Sequence, residues 1–238
     1  MKGVILAGGT GSRLDPLTKV TNKHLLPVYD KPMIYYPILK MKEMGIKSIL
    51  IVSGRGHAGH FLELLGSGSQ FGLKFAYEVQ EEAGGIAQAL GLARDFIDSD
   101  KFAVMLGDNV FEDDLSDAFN EFSNSEKKAH VFLKEVVNPE HYGVARFEAG
   151  NVVEILEKPP VPPSSFAVTG CYLYSAEVFD QIKTLQPSAR GELEITDVND
   201  FYVKNREMSY SILDGFWGDC GESIDGLLEV AKYLQSNL

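Results

Sequence analysis

Gly3-Val4-Ile5-Leu6-Ala7-Gly8-Gly9-Thr10-Gly11-Ser12-Arg13-Leu14 joins an apolar run to a glycine-rich one. Its apolar first half reads as a short buried strand, Lys2–Leu6, and the glycines that follow read as a tight turn leaving the strand's end. Glycine lets backbone N–H groups come close to an anion, and the hydroxyls of Thr10 and Ser12 add donors beside them. Two phosphate-loop patterns fail here. No Gly-Lys-Ser/Thr closes the loop as a Walker sequence would, and Arg13-Leu14 stands where a dinucleotide fingerprint needs its third glycine. What remains is a glycine loop ending in arginine, with a ligand-free strand-to-helix turn as the alternative reading.

Beyond that loop, the first half alternates apolar runs with segments of helical period, the pattern of a mostly parallel sheet covered by helices. Strands are expected at Lys2–Leu6, Ser48–Val52, Lys74–Val79 and Phe102–Leu106, and helices over Pro32–Met44, His57–Leu65 and Gly85–Phe96. Pro32 suits a first helical turn, and Gly45 suits the position just past a helix end. In the second half, Ala129–Glu135, Gly143–Phe147, Val152–Glu157 and Phe166–Ser175 read as strands, Pro159–Pro163 as a loop, and Ile195–Asn205 and Ser223–Leu234 as helices. Nothing in the composition marks a boundary, so a single domain over 1–238 is expected, with a nucleotide-binding half to about 125 and a second ligand-binding half from about 126.

The chain has 238 residues, 45% of them hydrophobic, enough to bury a full core without staples. Its two cysteines, Cys171 and Cys220, show neither disulfide nor zinc spacing, which makes a reducing, cytoplasmic setting the default. The short apolar run at the N-terminus is no signal-peptide core, and no stretch approaches the roughly 20 apolar residues of a membrane span. A net charge of −12 argues against a nucleic-acid surface while leaving room for a few local cations around a small anion.

Further motifs carry polar groups at expected strand ends. Lys23, in Thr21-Asn22-Lys23-His24-Leu25-Leu26-Pro27-Val28, reads either as a loop-edge cation that shares a polyphosphate with Arg13 or as an ordinary solvated lysine. Gln80 ends the third strand ahead of Gly84-Gly85-Ile86, and its amide can pair with a base edge. Leu106-Gly107-Asp108-Asn109 ends the fourth strand, where ligand sites of open α/β sheets gather and where a carboxylate is placed to hold Mg²⁺. Glu157-Lys158-Pro159 by itself reads as an exposed charge pair before a proline loop. His24, His57, His60, His130 and His141 have no partner at triad or metal spacing and receive no catalytic role.

The segment Gly3–Pro32, together with Asp30-Lys31-Pro32-Met33 and matches extending to about Glu222, resembles the sugar-1-phosphate nucleotidyltransferases, most closely the glucose-1-phosphate thymidylyltransferase branch. The resemblance implies a Rossmann-like three-layer α/β/α nucleotide-diphospho-sugar transferase fold with a mixed, mostly parallel central sheet. It implies that Leu6, Gly8, Gly9, Thr10, Gly11, Gln80, Gly85 and Asp108 bind dTTP or UTP, with Gln80 and Gly85 reading the pyrimidine. Tyr142, Gly143, Glu157, Lys158, Val168, Thr169 and Tyr172 would bind glucose 1-phosphate, the backbones of Gly143 and Thr169 closing the pocket. Asp219, in Trp217-Gly218-Asp219-Cys220-Gly221, would join Asp108 on Mg²⁺; Cys220 stands where members often have threonine. Arg13, Lys23 and Lys158 would be the catalytic cations. Gly191-Glu192-Leu193-Glu194-Ile195-Thr196-Asp197 resembles a helix start of the family, and Thr196 there is read as a support for nearby loops, outside the site.

The expected chemistry is in-line attack of the sugar-phosphate oxygen on the α-phosphorus, without a protein nucleophile. A UTP- or CTP-dependent enzyme, or a nucleotide-binding module without turnover, are the alternatives. The chain also stops soon after the Ser223–Leu234 helix, where longer thymidylyltransferases continue into a segment tied to tetramers and feedback. A monomer or small homo-oligomer without a feedback site is therefore expected.

Overall fold

The structure is a computed structural model that describes residues 1–98 and 101–237. In chain order its elements are β1 (Lys2–Ala7), β2 (Pro27–Val28), β3 (Lys31–Pro32), α1 (Tyr35–Glu43), β4 (Ser48–Gly54), α2 (Ala58–Leu65), β5 (Lys74–Gln80) and α3 (Ile86–Gly91). Then follow β6 (Lys101–Leu106), β7 (Asn109–Phe111), α4 (Ser116–Asn124), β8 (Ala129–Glu135), β9 (Gly143–Glu148), β10 (Asn151–Glu157) and β11 (Phe166–Ser175). The chain finishes with α5 (Val178–Ile182), α6 (Ile195–Lys204), β12 (Met208–Ile212), β13 (Trp217–Asp219) and α7 (Ile224–Asn237).

Among the described residues, a nine-stranded sheet runs β10-β9-β11-β6-β1-β4-β5, with β8 on the other side of β11 and β12 beside β8. β6, β1, β4 and β5 are parallel, whereas β11 runs antiparallel to β6, β8 and β9. Alternation along β1 explains the layers. Val4 and Leu6 face a core shared with Leu90 of α3, Phe179 of α5 and Val198 of α6, while Ile5 and Ala7 face one shared with Ile38 of α1, Phe61 of α2 and Phe119 of α4. This is the expected α/β/α layering of a mixed, mostly parallel sheet. A third apolar cluster seats α7, through Leu227 and Val230, on Leu14, Val28 and Met33.

Several expectations need correction. The first turn of the Pro32–Met44 helix is absent, because Pro32 pairs with Pro27 in the β2–β3 ribbon and α1 begins at Tyr35. Gly45 does follow that helix, at φ +78°. The Gly85–Phe96 helix stops at Gly91; beyond it the bonds tighten to i→i−3, as in Ala93 N–H to Leu90 O and Phe96 N–H to Ala93 O. The glycine loop leads into a single 3₁₀ turn, Ser12–Leu14, and not into an α-helix. Strands β7, β12 and β13 and helices α4 and α5 were not expected. Two of these matter most, since the β7–β13 ribbon carries Asn109 and Asp219 to one place.

His130, on β8, is buried between the Phe122 and Phe132 rings and shares a 2.9 Å hydrogen bond with Ser209. Burial lowers its pKa to about 4, below the ordinary 6.5, so the folded state holds the ring neutral. A base whose folded pKa is depressed contributes stability that is whole above about pH 6.5 and is lost as pH falls toward 4. The loss from His130 should reach about 3 kcal/mol at pH 4. Chemical denaturation between pH 7 and 4 checks this: His130→Phe should flatten the acid-side slope relative to the native chain.

Candidate active site

A cleft of about 310 Å³ opens along the carboxyl ends of β1, β5 and β6 and is walled on its far side by β9, β10 and β11. That is where the strand order reverses, at β1 between β6 and β4, and leaves a crevice in an open sheet. Leu6, Gly8, Gly9, Arg13, Lys23, Gln80, Gly85 and Asp108 line one half, and Tyr142, Gly143, Glu157, Lys158, Val168, Tyr172 and Asp219 the other.

Three residues expected in the site lie outside that lining. Thr10 is exposed on the loop. Gly11 sits under the loop at φ +66°, its carbonyl accepting from Thr18 Oγ1 at 3.0 Å, and a Cβ there would meet the Thr18 side chain. Thr169 points away because β11 alternates: Val168, Gly170 and Tyr172 face the cleft, and Thr169 is wholly buried on the opposite side with its hydroxyl unpartnered. Gly170 takes its place in the wall.

On the nucleotide side, Gly8 is glycine because a Cβ would lie 2.5 Å from Gln80 Oε1. Gln80 is buried, and its Nε2 donates to Gly85 O at 3.2 Å and to Gln88 Oε1 at 2.7 Å, which fixes the amide with its oxygen toward the glycine loop. Gly85 holds φ +96° and ψ 173°, a region closed to side chains, and a Cβ would stand 2.5 Å from Leu193 O. Gly85→Ala should therefore cost about 3 kcal/mol in folding, from strain plus backbone overlap, and lower the melting temperature by roughly 10 °C. A thermal melt measures it.

Lys23 corrects one of the two sequence readings of that residue. It is no solvated lysine, since its ammonium ion-pairs with Asp108 and its side chain is only 15% exposed. Burial works against that charge, but Asp108 and Asp219 outweigh it and raise the Lys23 pKa. Burial likewise pushes the Asp108 carboxyl up, yet Lys23 together with hydrogen bonds from Lys23 and Asn109 holds it well below the usual carboxylate range. Asp219 forms no ion pair among the described residues, and its Oδ1 accepts from Gly221 N at 2.8 Å. Burial, then the charge of Asp108, lifts its pKa to about 6. The two carboxylates thus form a hard-oxygen pair with one charge uncompensated, which suits a divalent cation that takes its other ligands from phosphate and water. Among the described residues no cluster of three or more His, Cys, Asp or Glu forms a closed metal cage. His24, beneath them, is buried and stays neutral: burial first, then Lys23, lowers its pKa to about 3.

Some cleft residues were missed. Asn109 is a hub: its Nδ2 donates to Asp108 Oδ1 at 3.0 Å, and its Oδ1 accepts from Gly170 N at 2.9 Å and from Trp217 Nε1 at 2.7 Å. The Trp217 ring meets Tyr142 edge-on, 5.2 Å between centroids. Glu157 accepts from Thr196 Oγ1 at 2.5 Å and from Arg190 Nη2 at 3.1 Å, and Arg190 also reaches Glu194 at 2.8 Å. Thr196 therefore lines the cleft itself. Asn109 and Trp217 adjoin Asp108 and Asp219 in motifs already singled out, whereas Arg190 leaves no local signal beyond being a cation. Arg13 and Lys158 are exposed and, among the described residues, have no ion-pair partner. Lys158 holds φ +43°, a conformation a non-glycine residue adopts only when its surroundings impose it.

The nucleotidyl transferase family profile matches residues 2–237. A Bacillus anthracis crystal structure, provisionally named a glucose-1-phosphate thymidylyltransferase and complexed with sucrose, is 52% identical, with a TM-score of 0.93 over 98% of this chain and 94% of that one. A glucose-1-phosphate thymidylyltransferase of an Actinoplanes strain is 44% identical over 94% of this chain and 75% of its own length. A UDP-glucose pyrophosphorylase complexed with UDP-glucose is 26% identical, with a TM-score of 0.88 over all of this chain and 99% of that one. A cleft with a glycine loop, cations and a carboxylate pair, and a likeness that spans nearly every residue, lead to one conclusion: the chain belongs to the nucleotidyl transferase family of enzymes.

Proposed function

We propose that the chain transfers dTMP from dTTP to glucose 1-phosphate, giving dTDP-glucose and pyrophosphate, as one cytoplasmic domain spanning 1–238 with Mg²⁺ as its metal. The observation that carries this reading is the convergence of Arg13, Lys23, Lys158, Asp108 and Asp219 on one cleft. A nucleotide binder without turnover needs neither a carboxylate pair nor a second set of cations. The name borne by the Bacillus and Actinoplanes relatives supports the choice of dTTP and glucose 1-phosphate. One sheet running through both halves, with β11 paired to β6, supports a single domain, and two buried free thiols suit a reducing compartment.

In this reading the triphosphate lies along Gly8–Arg13 with its base against Gln80 and Gly85. The sugar phosphate lies against Glu157, Lys158 and Tyr172. Glu157, fixed by Thr196 and Arg190, accepts from sugar hydroxyls, while Lys158 meets the phosphate. A phosphate oxygen is already ionised at neutral pH and attacks the α-phosphorus directly as pyrophosphate leaves. Cys220 is no rival nucleophile, because burial pushes its thiol well above its ordinary pKa. Arg13, Lys23 and Lys158 neutralise charge that grows in the transition state. Mg²⁺ on Asp108 and Asp219 would add Lewis-acid neutralisation of the phosphate oxygens.

The likeness to a UDP-glucose pyrophosphorylase keeps UTP as the second reading. Presenting dTTP, UTP, CTP, GTP and ATP separately with glucose 1-phosphate, and identifying each nucleotide sugar, distinguishes them. The highest kcat/KM is expected for dTTP; a preference for UTP would move the assignment to the uridylyl reaction.

A further inference from the structure

The carboxylate pair has a protein cation beside it, and that cation is Lys23. Its Nζ bonds Asp108 Oδ2, while the other oxygen of Asp108 accepts from Asn109 Nδ2 at 3.0 Å. Both Asp108 oxygens are therefore engaged by protein donors. The space is tight as well: a Cβ on Gly221 would fall on Asp108 Oδ2 and within 2.8 Å of Lys23 Nζ. A divalent ion that ligates Oδ2 would crowd the ammonium already bonded there and meet its charge at contact range.

We propose that Lys23 is a resident counter-cation on Asp108, which opposes metal binding to the free protein and exchanges its place with the metal when a polyphosphate draws the lysine away. This rests on the reading that Asp108 and Asp219 hold the metal and that Lys23 meets the triphosphate. The long flexible stem of lysine and its single point charge suit such an exchange, which a rigid arginine fork would not. Metal and triphosphate then strengthen each other's binding, since each relieves what the other must displace. The device also keeps the buried Asp108 carboxylate from standing unpaired between turnovers.

The test is calorimetric titration of Mn²⁺ into the nucleotide-free protein. Lys23→Met, which keeps the stem and removes the charge, should bind Mn²⁺ roughly tenfold more tightly than the native chain, about 1.4 kcal/mol. The gain should vanish in the double variant Lys23→Met with Asp108→Asn. Lys23→Gln carries the same comparison if Lys23→Met lowers the melting temperature. Equal or weaker Mn²⁺ binding in both variants overturns the exchange while leaving the transfer reaction, assayed separately, intact. Absence of saturable Mn²⁺ binding in every variant overturns the exchange.

Discussion

Lys158→Ala is expected to lower kcat by two to three powers of ten, roughly 3 to 4 kcal/mol of transition-state stabilisation, the scale on which one well-placed charge-stabilising donor acts. The chain should still fold. Lys158 is exposed and forms no ion pair among the described residues, so its truncation opens no cavity and orphans no buried charge. Its backbone is what the fold constrains. The N–H of Lys158 donates to Tyr142 O at 3.0 Å, the buried Pro159 follows, and φ stands at +43°. Alanine inherits that conformation with the same strain, and the melting temperature should stay within about 2 °C. Steady-state kinetics against glucose 1-phosphate, set beside a thermal melt, measures both. Near-native turnover would remove Lys158 from the reacting phosphates.

Gly221→Ala should act on the metal side of the cleft. Its φ is not in the left-handed region, so the backbone tolerates alanine, but the added methyl would fall on Asp108 Oδ2 and crowd Lys23 Nζ. Asp108 cannot yield easily, because Asn109 holds its other oxygen and is itself held by Gly170 and Trp217. The expected outcome is roughly a hundredfold loss of kcat, since misplacing a charge-stabilising group by an ångström costs on that order. Mn²⁺ affinity should change as well. A variant with native kcat and native Mn²⁺ binding would place the reacting phosphates away from Asp108.

How far the sequence disclosed this arrangement depends on the range of the interactions. Strands β8 and β11 stand where the apolar runs Ala129–Glu135 and Phe166–Ser175 place them, because a buried strand is written in its own residues. β7 and β13 are three residues each and exist only by pairing with one another across more than a hundred positions, so no local periodicity announces them. Met208–Ile212 does alternate, but it forms a strand by lying parallel to β8, which only the assembled sheet supplies. The glycine loop was legible through its φ requirements. Lys23 was not, since a lysine's burial is decided by a carboxylate 85 residues away. Thr196 was set aside for the same reason: its partner Glu157 is 39 positions distant. Thr169 is expected at the pocket through its backbone, and its side chain lies behind the wall because strand alternation sends every second side chain to the other face.

In the proposed reaction a triphosphate and a sugar phosphate meet in this cleft and react directly. Pyrophosphate release from dTTP should be measured with and without glucose 1-phosphate in the presence of Mg²⁺, alongside the nucleotide sugar formed. Pyrophosphate and dTDP-glucose are expected in equal amounts when both substrates are present, and neither from dTTP alone. Pyrophosphate released without the sugar phosphate would contradict direct transfer, and no release with either nucleotide, dTTP or UTP, would contradict the assignment of the cleft.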